Sequence, residues 1–247
     1  MVHNIGAGCG AADLITLRGK KHIEEADVII YAGSLVNPAL LGYAKADCEI
    51  FDSGKMTLEE IVSVIETAEK EGKTTVRIQS GDPSLYGAIG EQMREFDKLG
   101  IEYDITPGVS AFSGAAAALK TEYTLPDVSQ TVIITRASGK TAVPDSENLR
   151  ALASHGATMV LFLSTGLLAK VTEELIAGGY APDAPAAENI LTDQHTVRPF
   201  AAVFPENLHG IFAVSDTPQR KFLDFVDTPC AECNAAFFRA GENFVLC

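Results

Sequence analysis

The sequence predicts an α/β protein made of two successive βα-repeating units. Three observations predict it. Short β-branched runs alternate with longer stretches of helical spacing, the order expected of parallel sheets. Turns rich in Gly, Pro or Ser follow several of these runs, at residues 6–10, 80–83 and 107–110. A break in composition over residues 121–129, centred on Pro126, separates one set of alternations from the next.

Residues 2–5 read as the first strand. Gly6, Gly8 and Gly10 then make a loop with unobstructed N–H groups, and Leu14, Leu17 and Ile23 give helical spacing in spite of Gly19. The second strand, residues 28–31, ends at Ala32-Gly33-Ser34. A short strand at 49–51 leads to a helix over 57–70, with Thr57 as N-cap and Glu60 placed for a capping box. The stretch around which the chain is organised comes next. Val76 and Ile78 alternate with polar residues in a strand that breaks at Ser80-Gly81-Asp82-Pro83. Gly81 allows a positive φ. Asp82 precedes a proline and is pushed out of the helical region. Pro83 suits the first turn of a helix, predicted over 84–99 and ended by Gly100. A strand at 101–106, the turn at 107–110 and a small-residue helix over 111–119 complete the first unit. The second unit carries a strand at 131–135, Arg136 and a loop, a helix at 147–154, a buried strand at 158–163, and a helix over 166–177 closed by Gly178-Gly179.

The chain has 247 residues, of which 47% are hydrophobic, enough for a sizeable core in one large or two smaller domains. A net charge of −14 argues against nonspecific binding to nucleic acid or to an anionic membrane surface. No apolar run reaches the roughly 18 residues of a membrane span, and no signal peptide is evident. Five cysteines, an odd number, fit a reduced cytoplasmic protein better than a disulfide scaffold.

In open parallel sheets ligands bind at the carboxyl ends of the strands, which makes the turn at 80–83 the first candidate site. Gly6, Gly8 and Ala11 also satisfy a dinucleotide fingerprint. That reading needs an acid at the far end of the second strand to hold a ribose, whereas Asp27 lies at its beginning. A nicotinamide-dependent oxidoreductase is therefore the alternative. Cys230-x-x-Cys233 lacks a second ligand pair at suitable spacing, since His195 and His209 lie upstream, so no metal is expected. His22 and His155 read as structural, and no residue identifies itself as a general base.

The glycine loop ending in Asp13-Leu14, the segment from Tyr31 to Pro38, the run from Ser80 to Tyr86, Pro107 to Ala111, and the run from His155 to Ser164 together resemble the tetrapyrrole methyltransferases of corrin synthesis. The resemblance covers residues 2–185, and its most specific part is Tyr31 to Pro38. It implies two α/β domains with a cofactor cleft between them, residues 1–120 and 130–247 joined by a linker at 121–129, usually as a homodimer. It also implies methyl transfer from S-adenosylmethionine to a tetrapyrrole (precorrin or cobalt-precorrin) carbon in cobalamin biosynthesis, C-11 of precorrin-4 or cobalt-precorrin-4 matching best. Carried over residue by residue, Ser80, Gly81 and Asp82 resemble the main cofactor-binding turn, with Leu85 adding a backbone and apolar contact. Ser110 and Ala111 match a second cofactor contact, and Leu163 one on the second domain. Cys9 stands where the family usually has a proline lining cofactor and substrate. Because the acceptor carries many carboxylates, Arg77, Arg136 and Lys140 are candidate substrate contacts.

After Ala187 the sequence departs from the family pattern. The family's next strand and its closing strand are not legible, and residues 188–247 hold 8 of the 12 phenylalanines and 3 of the 5 cysteines. The switch resembles a change of reading frame. It leaves a second alternative, a protein that binds cofactor without turnover, and predicts irregular packing after Ala187.

Overall fold

The computed structural model describes residues 1–33, 35–139, 141–182, 184, 186–191, 197–200 and 213–215. The chain forms two compact units, one built on Met1–Ala115 and the other on Ala116–Ile190.

The first unit carries β1 (Val2–Gly6), β2 (Val28–Tyr31), β3 (Glu49–Asp52), β4 (Thr75–Gln79) and β5 (Tyr103–Thr106). Their order is β3-β2-β4-β1-β5, and every neighbouring pair is parallel. Helices cover both faces, which is why Val28-Ile29-Ile30 is a continuous apolar run rather than an alternation. Ile5, Ile29, Val76 and Ile78 pack with Ile23 of α1 (Leu17–Glu25) on one face. Val2, Val28 and Ile30 pack on the other with Ile61 and Ile65 of α2 (Leu58–Lys70) and Phe96 of α3 (Ile89–Leu99). Each such side chain, fully buried, contributes about 1.5–3 kcal/mol. The predicted capping box opens α2: Thr57 Oγ1 accepts from Glu60 N at 3.3 Å, and the Glu60 carboxylate accepts from Thr57 N at 2.7 Å.

The helix expected from residue 84 begins only at Ile89. Asp82 captures Ser84 N at 2.9 Å, so the chain turns locally instead of entering a helix. Tyr86 and Ala88 then take left-handed conformations, φ 56° and 50°. Gly87 packs so closely that a Cβ there would stand 2.4 Å from the Pro83 carbonyl oxygen.

The second unit's sheet has the order β6-β7-β10-β8-β9, with β6 (Val132–Arg136), β7 (Thr158–Phe162), β8 (Glu188–Leu191), β9 (Val197–Phe200) and β10 (Ala213–Ser215). The β6–β7, β7–β10 and β8–β10 pairs are parallel. Leu149 and Ala153 of α5 (Leu149–Ala153) and Val171 and Leu175 of α6 (Leu168–Ala177) pack on Met159 and Leu161 of β7. Before them in the chain comes α4 (Ala111–Leu119).

One expectation is corrected here. A strand does follow Ala187: β8 starts at Glu188 and pairs with β10. Its sequence, ENIL, has no alternation to announce it, and its partner arrives more than twenty residues later; the sheet, not local propensity, fixes it. Apart from β8, β9 and β10, the tail, including Cys230 and Cys233, lies outside the described residues. Among the described residues, no helix is long and apolar enough to cross a membrane.

Candidate functional site

The carboxyl ends of β1, β4 and β5 lie side by side, because β1 pairs with both neighbours through to Gly6↔Gln79 and Ile5↔Thr106. Their three exit turns meet at Gly6, Gly81 and Gly108. A Cβ on Gly6 would stand 2.5 Å from Gly81 O and 2.6 Å from Gly108 Cα. One on Gly108 would stand 2.2 Å from Gly81 O and 2.8 Å from Gly6 Cα. Only hydrogen fits at these two positions, so backbone rests directly on backbone. Gly8 and Gly81 also exchange hydrogen bonds, Gly8 N donating to Gly81 O at 3.2 Å and Gly81 N to Gly8 O at 3.0 Å. Gly81 itself has φ +58°, the left-handed value its place after the strand predicted.

Asp82 latches this assembly. Its Oδ2 accepts from Gly108 N at 2.9 Å. Its Oδ1 accepts from Ser84 N at 2.9 Å and from the Ser84 hydroxyl. Both oxygens therefore have protein partners, and the carboxylate holds the turn after β5 against the turn after β4. Its visible role is to position that turn, 26 residues away in sequence.

Ser80, Gly81, Asp82, Ser110 and Ala111 come together around this junction. The position a Gly81 Cβ would take is 3.7 Å from Ala111 N and 3.8 Å from Ser110 Cα. Ser110 is buried just before α4, and its carbonyl accepts from Gly114 N at 3.1 Å. Leu85 is half-buried and donates its N–H to Asp82 O at 3.1 Å. Two polar atoms at these strand ends, Gln79 Nε2 and Thr106 Oγ1, are buried without a hydrogen-bond partner. Such groups cost about 1–3 kcal/mol when left unpaired, and the register sets the two side chains on opposite faces of the sheet.

Cys9, expected to line cofactor and substrate, packs against α4. It is only 5% exposed and fills a notch in α4, where a Cβ on Gly114 would stand 2.6 Å from its Cβ and Sγ. Burial pushes its thiol pKa up. Asn37, which the sequence reading did not single out, ties the Tyr31–Pro38 segment to the glycine loop. Its Nδ2 donates to Gly10 O at 2.8 Å, while its Oδ1 accepts from Ala39 N at 2.9 Å. The signal available was the Asn-Pro dipeptide, which favours turn initiation.

In the second unit, Leu163 leaves β7 with φ +55° and a side chain 44% exposed. A leucine in this region carries strain of about 1–3 kcal/mol. The next residue, Ser164, is fully buried and pins the kink, its hydroxyl donating to Phe162 O at 2.7 Å and accepting from Ala137 N at 2.9 Å.

The basic candidates do not gather. Arg77 is an interior residue, 5% exposed, donating to Gln92 Oε1 at 3.3 Å and to the Ile30 and Ile78 carbonyls at 3.1 Å. Burial pulls its pKa down to about 10. Helices cover both faces of this sheet, so Arg77 lies in the interior. Arg136 donates to the Thr141 and Ala142 carbonyls at 2.9 and 2.8 Å, bracing its own loop. Lys140 lies outside the described residues. Asp27, at the start of β2, accepts from Thr74 N at 2.9 Å and from Lys45 Nζ at 2.6 Å, at the end opposite the glycine turns. No acid follows β2 within Ala32-Gly33 to hold a ribose, which removes the support for the nicotinamide reading.

Residues 1–200 match the family described as Tetrapyrrole (Corrin/Porphyrin) Methylases. The chain is 56% identical over 183 residues to the cobalt-precorrin-4 C(11)-methyltransferase of Methanocaldococcus jannaschii, covering 74% of this chain and 71% of that protein. It is 48% identical over 187 residues to the precorrin-4 C(11)-methyltransferase of Mycobacterium tuberculosis, covering 75% and 74%. The X-ray structure of a cobalamin biosynthetic enzyme, cobalt precorrin-4 methyltransferase, superposes with a TM-score of 0.72 at 46% identity, covering 74% of this chain and 76% of that one. A uroporphyrin-III C-methyltransferase from Thermus thermophilus, complexed with S-adenosylhomocysteine, shares the fold at a TM-score of 0.66, 24% identity and 81% coverage of each chain.

Proposed function

The chain belongs to the tetrapyrrole (corrin/porphyrin) methylase family, and from that premise we propose that it transfers a methyl group from S-adenosylmethionine to C-11 of precorrin-4 or cobalt-precorrin-4 in cobalamin biosynthesis. The observation that carries the reading is the glycine junction latched by Asp82. Three backbone turns are pressed together at the carboxyl edge of a parallel sheet, and the Asp82 carboxylate holds two of them to each other. This is a preorganised cradle of the kind a nucleoside-bearing donor requires.

Bound there, S-adenosylmethionine supplies an electrophilic methyl group on a positively charged sulfur. The protein's task is alignment. Ser80, Gly81, Ser110 and Ala111 offer backbone and small side chains to the donor, and Leu85 adds apolar surface. Asp82 keeps the Gly108 turn in place. Asn37 fixes the glycine loop from the other side. Holding donor and acceptor in line supplies about 7–11 kcal/mol in favourable cases, so a strongly basic side chain need not do the chemistry. The proposal extends to a cytoplasmic homodimer, in keeping with the family and with an odd number of cysteines.

Calorimetric titration tests the cradle. S-adenosylhomocysteine is expected to bind with one site per chain, while a nicotinamide dinucleotide gives no heat of binding. Tight binding of the dinucleotide and none of S-adenosylhomocysteine would overturn the proposal.

A further inference from the structure

Away from the glycine junction, β1, β5 and α1 bring two imidazoles and a carboxylate into one cluster. His3, the second residue of β1, lies opposite Asp104 of β5 in the sheet register. Its Nδ1 is 2.9 Å from Asp104 Oδ1. His22, in the last turn of α1, stacks on His3 with ring centroids 3.9 Å apart and planes inclined by 23°. One donor atom from each residue lies within 4.8 Å of the other two. His22 Nε2 is buried and has no hydrogen-bond partner. Methyl transfer has no use for this cluster: His3 precedes Gly6 by three residues, about 10 Å along the strand.

We propose that His3, His22 and Asp104 bind one divalent transition-metal ion of the zinc class. Two imidazoles and a carboxylate form a donor set that suits zinc, which accepts three protein ligands and completes a tetrahedron with water. Ligands about 2.0–2.2 Å from a tetrahedral ion stand about 3.3 Å from one another, so His3 Nδ1 and Asp104 Oδ1 are already close to that spacing. The ion takes the place of the proton that these two atoms share. His22 joins by turning its ring about χ2, giving up the stack and supplying its orphaned nitrogen with a partner. Asp104, with a side chain 41% exposed, provides the solvent route to the site. Since β5 is an edge strand joined to the sheet only through β1, the bound ion would fasten that edge to α1.

The test uses the full chain, stripped with a chelator and carrying Cys230→Ser and Cys233→Ser, so that no thiol pair can compete for the ion. Titration with zinc chloride is expected to show one ion per chain. His22→Gln and Asp104→Asn, each verified as folded by circular dichroism, should weaken binding by more than about tenfold. With the histidines intact, cobalt(II) should shift the His3 and His22 imidazole resonances and give no thiolate-to-cobalt absorption. No zinc uptake, uptake that neither substitution weakens, or a cobalt spectrum dominated by thiolate would each overturn the proposal.

Discussion

Replacing Asp82 by alanine isolates the latch at the glycine junction. The carboxylate accepts three hydrogen bonds, one from Gly108 N and two from Ser84. The Ser84 donors are exposed, and water replaces the carboxylate at little cost. The Gly108 bond is partly buried, and hydrogen bonds to charged groups are worth about 1.5–3 kcal/mol. Opening of the Gly108 turn should therefore become easier by about 2 kcal/mol. At about 1.4 kcal/mol per factor of ten, amide exchange at Gly108 should rise about 30-fold. Affinity for S-adenosylhomocysteine should fall by no more than exchange rises, because it is lost only in proportion to the open population. Asp82→Asn should lie between the parent and the alanine variant: its amide oxygen can still accept from Gly108 N while its NH2 donates to the Ser84 hydroxyl, leaving a weaker, uncharged bond. Hydrogen exchange read by mass spectrometry over residues 103–110, beside calorimetry, measures both. Unchanged protection at Gly108 with lost affinity would refute the latch and make Asp82 a direct cofactor contact.

Gly108→Ala places a Cβ 2.2 Å from Gly81 O, so backbone must move. It should cost about 1–3 kcal/mol of stability and abolish S-adenosylhomocysteine binding, checked by denaturant melts and titration. Gly114→Ala drives a Cβ into Cys9, whose Cβ and Sγ would both stand at 2.6 Å. It should destabilise the chain by about 1–3 kcal/mol, and adding Cys9→Gly should recover more than half of that loss in a double-mutant cycle; simple additivity would refute the contact. Arg77→Met should lower stability by about 1–3 kcal/mol, since Gln92 and two carbonyls lose their donor, and leave KM for the tetrapyrrole unchanged. A raised KM at full stability would return Arg77 to the substrate site.

What the sequence made legible was mostly local. The capping box at Thr57 and Glu60, the positive φ at Gly81 and the helix at Ala111–Leu119 each follow from residues a few positions apart. What it concealed depended on partners far along the chain. The latch made by Asp82 is hidden until Gly108 is folded beside it, and the other oxygen of the same carboxylate, holding Ser84 N, replaces a predicted helix start by the turn at 84–88. The packing of Cys9 into a notch at Gly114 was hidden because that notch belongs to a helix a hundred residues on. The partners of Arg77, Gln92 and the Ile30 carbonyl, come from α3 and a neighbouring strand, so its interior anchoring could not be read from its own strand. The strands β8 and β10 are short, and their pairing with each other and with β7 gives them an identity that their sequences lack.

Incubation of the purified chain with S-adenosylmethionine labelled in its methyl group, and with precorrin-4 and cobalt-precorrin-4 in separate reactions, tests the central claim most directly. The account predicts that one of these acceptors gains a single labelled methyl at C-11, located by NMR, with S-adenosylhomocysteine formed in equal amount. Binding of S-adenosylhomocysteine with no methyl transfer to either acceptor, or a methyl placed on a different carbon, would contradict it.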